Sequence, residues 1–187
     1  ISTGLSKWCG AGGWRLGFFA IPKTLKEINK SLKNLSSESF SSVNAPTQFA
    51  AVEAYLGDHK DYIERTTNIL SLIGNYVFEN LQSNKILINK PEGGFYLMPE
   101  ISVDAFKSSK QMCENILNKT GVALLPGSEF GFKANKLVVR LSFTDFNGEV
   151  FLNNSMGRKK LDNDDVIKFA PNIVEGVNRL KKWSNSI

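Results

Sequence analysis

The chain has 187 residues, 42% of them hydrophobic and 22% charged, with a formal net charge of +5; this balance excludes a disordered chain and gives enough length to bury a sizeable core. Two cysteines and one histidine exclude a disulfide framework and a multi-histidine metal centre, and leave little room for a serine or cysteine triad. The basic residues are scattered apart from Arg158-Lys159-Lys160 and Lys181-Lys182, so the charge reads as a solvated surface and not as a nucleic-acid footprint.

Residues 1–23 read as a glycine-rich turn that runs into an apolar strand, Leu16 to Ile21, stopped by Pro22. A short polar helix over Thr24–Leu35 follows, with Leu25, Ile28, Leu32 and Leu35 at helical spacing. Ser36–Asn44 is a serine-rich loop and the expected domain boundary, dividing residues 1–45 from residues 46–187. After Pro46 a helix takes up Phe49, Val52 and Leu56. Gly57-Asp58 interrupts it, and a longer helix runs from Lys60 to Ser83 with Leu70, Ile73, Val77 and Leu81 as its buried stripe. His59, between Asp58 and Lys60, reads as a solvated helix residue.

The remainder alternates. Ile86–Ile88 and Phe95–Ile101 read as strands flanking Pro91-Glu92-Gly93-Gly94, and a helix spans Asp104–Lys119. Val122–Leu125 is a short strand ended by Pro126-Gly127. In Leu137–Phe143 the odd positions share one face while Val138, Arg140 and Ser142 share the other. Asn147–Asn163 reads as a polar loop before a final helix carrying Val166, Phe169, Ile173, Val177 and Leu180, which Pro171 kinks or restarts. The class is mixed α/β, a small sheet covered by helices. No apolar run approaches the ~20 residues of a membrane span, no secretory signal pattern is present, and the cysteine usage fits a reducing, cytoplasmic setting.

Two positions carry chemistry. Only a neutral amine attacks an aldehyde, so a carbonyl-capturing lysine needs apolar or cationic company; Leu5, Trp8 and Arg15 supply it for Lys7. Eight fully extended residues would set Lys7 and Arg15 ~26 Å apart, so one small molecule meets both only if the chain folds back, for which Gly10, Gly12 and Gly13 supply the freedom. Arginine's planar fork suits a phosphate, which makes Arg15 a phosphate clamp. Arg140 lies mid-strand, where an unpaired charge is costly, so either an acidic side chain or an anionic ligand should meet it.

The string Gly4-Leu5-Ser6-Lys7 followed by Gly13-Trp14-Arg15-Leu16-Gly17 resembles the cofactor-lysine segment of the class I/II aminotransferases of fold type I. Pro91-Glu92-Gly93-Gly94-Phe95-Tyr96, Gly121–Gly131 and the Arg140 strand resemble further segments of that family, in the family's order across nearly the entire chain. The resemblance implies that Lys7 is the catalytic residue and binds pyridoxal 5'-phosphate as a Schiff base. It implies that Arg15 and Ser6 contact the cofactor phosphate, and that Arg140 grips the substrate α-carboxylate with Phe95 and Tyr96 lining the side-chain pocket. No metal is implied. Many members carry a phosphate-binding serine where this chain has Gly4; Ser6, Thr3 and Ser2 are the hydroxyls at hand.

The implied function is transamination between an amino acid and a 2-oxo acid, in a homodimer with no nucleic-acid or membrane partner, Ser42–Gln48 lying near the subunit interface. Residues 1–45 would be the end of the large cofactor-binding domain, and residues 46–187 the small C-terminal α/β domain with a long interdomain helix. The rest of the cofactor pocket is then expected before residue 1, and the chain alone is expected to be inactive. A carbon–sulfur lyase, a cyclopropane-forming synthase and a non-catalytic interaction domain of the same fold stay open as alternatives.

Overall fold

The computed structural model describes residues 1–158 and 160–187; Lys159, in the middle of the first basic cluster, lies outside them. The chain divides into two compact units, Ile1–Glu64 and Arg65–Ile187.

The first unit opens with a hairpin where the sequence suggested a turn and a single strand. β1 (Ser2–Gly4) pairs antiparallel with β2 (Gly17–Phe19), the latter shorter than the expected Leu16–Ile21 strand, and α1 (Leu5–Trp8) begins directly after β1. A 3-10 turn at Lys23–Leu25 leads into α2 (Lys26–Ser39). The serine-rich stretch is therefore helical as far as Ser39, against the expected loop. The Ser39 hydroxyl turns back to the Leu35 carbonyl in the last turn of this helix. α3 (Ala45–Leu56) starts from Asn44, whose side chain accepts from the Thr47 N–H at 2.9 Å. Gly57 closes it: a Cβ there would lie 2.8 Å from the Glu53 carbonyl oxygen. Asp58 then accepts from the Lys60 N–H at 3.2 Å at the start of α4 (Lys60–Leu81). His59 is half-buried, not solvated, its Nε2 3.1 Å from the Glu53 carbonyl.

The division between the units falls within α4. Its C-terminal part buries Ile69, Ile73, Tyr76, Val77 and Leu81 in the core of the second unit, with Leu70 only partly buried. β3 (Ile86–Leu87) pairs with β5 (Glu100–Ile101), while β4 (Tyr96–Leu97) and β6 (Leu125–Pro126) flank β7 (Val139–Ser142) in an antiparallel sheet of order β4-β7-β6. The expected Phe95–Ile101 strand is broken at Met98-Pro99, since proline brings no N–H to a ladder. Val122–Leu124 is unpaired, and β6 is only Leu125–Pro126.

α5 (Ser109–Thr120) is capped by Ser108 and ends at Gly121, whose φ of +74° suits glycine. The expected Asn147–Asn163 loop contains α6 (Gly148–Ser155), capped by Asn147 and anchored by fully buried Phe151. α7 (Asn163–Phe169) and α8 (Pro171–Asn185) follow, so Pro171 restarts the helix at its first turn, where it has no N–H to lose. Phe143, Phe151, Met112, Ile116 and Val166 centre the core between sheet and helices. No helix among the described residues is long and apolar enough to cross a membrane.

Candidate active site

In the first unit, Gly4 and Gly17 are direct register partners, and the Leu5 N–H donates to the Leu16 carbonyl at 3.1 Å. This closes residues 5–16 into a loop, so the chain folds back between Lys7 and Arg15. Gly10, at φ +66°, and a 3-10 turn at Gly12–Trp14 reverse the chain inside it. Gly12 lies against Ser6: a Cβ on Gly12 would sit 3.8 Å from the Ser6 carbonyl oxygen.

The Arg15 Nη1 donates to the Gly12 carbonyl at 3.1 Å. The guanidinium is thus held to the loop backbone at Gly12, and the adjoining Ala11 N–H donates to the Leu5 carbonyl at 3.1 Å. Arg15 itself is exposed and takes φ +53°, a left-handed conformation uncommon for a residue with a Cβ. Leu5 is buried, Ser6 half-buried and Lys7 exposed. Trp8 packs its ring 5.9 Å from Tyr55 and 6.2 Å from His59, which props the turn from beneath. An amine, a hydroxyl and a guanidinium on one closed loop form the donor set that an aldehyde bearing a phosphate needs.

The other candidate arginine lies within the second unit. Arg140 is half-buried on β7, while Val139 and Leu141 turn into the core. Tyr96 pairs with Ser142 and Leu125 with Arg140, so Tyr96, Leu125, Arg140 and Ser142 share the outer face of the sheet. The Arg140 guanidinium carbon lies 4.6 Å from the Tyr96 ring centroid and 4.3 Å from that of Phe130. Among the described residues Arg140 forms no ion pair and donates no hydrogen bond, so the acidic-partner alternative is not what the fold adopts.

Phe95 packs against the core with its ring 4.6 Å from that of Tyr96, and it is Tyr96 that meets Arg140. Phe130 had no assigned part in the sequence reading. It follows the Pro126-Gly127 turn, and no local periodicity ties it to Arg140. No group of three or more metal-ligating side chains occurs among the described residues.

A family model described as aminotransferase class I and II matches residues 1–150. The aspartate aminotransferase of Geobacillus stearothermophilus is 32% identical over 148 residues, covering 76% of this chain and 36% of the relative. The probable aspartate/prephenate aminotransferase of Aquifex aeolicus is 34% identical over 130 residues, covering 67% and 32%. Among solved structures, the alanine aminotransferase of Pyrococcus furiosus aligns over 100% of this chain and 42% of its own, with a TM-score of 0.72 and 26% identity. The aromatic aminotransferase of Pyrococcus horikoshii aligns over 99% and 42%, with a TM-score of 0.74 and 24% identity. The chain spans about a third of the length of these curated relatives.

Proposed function

Because the chain belongs to the class I and II aminotransferase family, we propose that it is part of a pyridoxal 5'-phosphate-dependent transaminase that moves an amino group between an amino acid and a 2-oxo acid. The observation that carries this reading is the closed loop of residues 5–16, in which the Leu5 N–H donates to the Leu16 carbonyl, the Ala11 N–H donates to the Leu5 carbonyl, and the Arg15 guanidinium donates to the Gly12 carbonyl.

Lys7 would hold the cofactor through its Nζ, and Arg15 with Ser6 would hold the phosphate. When bound, pyridoxal 5'-phosphate supplies the electron sink for charge at the substrate α-carbon. Lys7, freed by the incoming amino group, takes the α-proton on its Nζ as the general base. Arg140 orients the amino acid, and then the 2-oxo acid, by the carboxylate both share, which suits a ping-pong exchange. Phe95 stands beside Arg140's neighbour Tyr96 and would border the substrate side chain. In this reading residues 1–45 belong to the cofactor-binding domain and residues 46–187 to the small domain of a cytoplasmic homodimer.

The test is a panel of amino donors run on the intact protein with 2-oxoglutarate or pyruvate. Amino-group transfer that depends on the acceptor supports transamination. Release of a keto acid without any acceptor points to a lyase of the same fold.

A further inference from the structure

We infer that Phe130, with Tyr96, positions Arg140 for the substrate carboxylate; this rests on the transaminase reading above. A half-buried cation needs compensation. An acidic partner would provide it but would also occupy the N–H fork that a carboxylate ligand must use. Aromatic faces attract a guanidinium through the ring quadrupole and have no oxygen to accept its N–H groups. At 4.6 Å and 4.3 Å from the guanidinium carbon, the Tyr96 and Phe130 rings stabilise the charge and leave the donors unspent.

The two rings arrive by different routes. Tyr96 stands on β4, diagonal to Arg140 across the ladder. Phe130 ends the 3-10 turn Gly127–Phe130, which β6 leads into, and β6 sets Leu125 opposite Arg140. That turn is held to the strand because the Gly127 N–H donates to the Val138 carbonyl at 2.8 Å. Its closeness needs glycine, since a Cβ on Gly127 would lie 2.7 Å from that oxygen. Phe130 is 39% exposed and Tyr96 37% exposed, so both rings are partly open to solvent where they flank the guanidinium.

The experiment compares Phe130→Leu, Phe130→Tyr, Tyr96→Leu and Arg140→Ala in the intact holoenzyme. Two measurements are made. The first is kcat and KM for an amino-acid substrate and for its carboxamide. The second is the dissociation constant of the substrate's α-methyl analogue, which keeps the carboxylate but has no α-proton to lose. Phe130→Leu is expected to raise the acid's KM and the analogue's dissociation constant about fivefold, with kcat within about twofold and the carboxamide's KM unchanged. Tyr96→Leu should show the same split, and Phe130→Tyr should restore the wild-type values. A raised KM in Arg140→Ala with unchanged values in Phe130→Leu overturns the positioning role and leaves the carboxylate reading intact. Equal losses for acid and carboxamide in Phe130→Leu also overturn it, as a general structural effect. Unchanged values in Arg140→Ala refute the carboxylate reading itself, and the inference with it.

Discussion

Gly4 and Gly17 face each other across the opening hairpin so closely that a Cβ on Gly4 would lie 3.0 Å from the Leu16 carbonyl oxygen, and one on Gly17 would lie 3.0 Å from that of Thr3. This contact seals the loop that carries Lys7 and Arg15, and it gives a physical reason for glycine at both positions. A side chain at either position must push backbone aside.

Gly4→Ala and Gly17→Ala should therefore each cost about 1–2 kcal/mol. Gly13→Ala, whose added Cβ would meet nothing within 4 Å, should stay within about 0.5 kcal/mol. Urea denaturation of the intact protein and its three variants distinguishes these. Equal stability of all three variants would show that the hairpin does not depend on the close approach.

Asp165 makes an acid-sensitive cap. Its buried carboxylate receives a side-chain hydrogen bond from Arg158 and accepts from the Asp162 N–H at 2.9 Å, completing the capping box of α7. The Arg158 hydrogen bond, more than the backbone bond and the nearby charges, holds the carboxyl below the usual carboxylate range against the opposing cost of burial. A depressed folded value means the unfolded chain takes up the proton first. The stabilisation is thus complete above the ordinary value of about 3.9 and is lost as pH falls through the lower folded value. Asp165→Asn should destabilise by about 1–2 kcal/mol at pH 7, and the gap to wild type should narrow below pH about 4. Denaturant midpoints at pH 7 and pH 3 provide the check; a gap that widens on acidification would contradict the assignment.

Cys113 is a structural thiol. Burial, aided by the Glu114 charge, raises its pKa to about 11, and it sits in the core on α5, which packs against α8. The thiolate is the reactive form, so alkylation of Cys113 at pH 8 should be negligible in the native protein and rapid in denaturant. Mass spectrometry after a timed iodoacetamide pulse reads this directly. Labelling of native Cys113 on the same timescale as a free thiol would contradict it.

Much of this was legible in the sequence because α4 and α8 carry apolar residues at regular spacing: Ile73, Val77 and Leu81 and then Ile173, Val177 and Leu180 are buried as their stripes require, and Pro171 restarts a helix. α5 begins at Ser109 and not at Asp104, and the α3 residues Phe49, Val52 and Leu56 are exposed. The misses have different causes. α6 is short and starts at Gly148, yet Phe151 buries completely and secures it. Ser36–Ser39 has loop-like composition, but α2 runs on through it. At the candidate site the motif residues could be named, and the glycines foretold a fold-back. What surrounds Arg140 could not be read, because Tyr96 and Phe130 reach it from separate segments through strand pairing.

The most direct test of the central claim is chemical. The intact protein is incubated with pyridoxal 5'-phosphate, reduced with borohydride, digested and examined by mass spectrometry. The account predicts one pyridoxyl group, carried by the peptide containing Lys7 and absent from Lys7→Ala. A modified lysine elsewhere in the chain, or no modification at all, would contradict it.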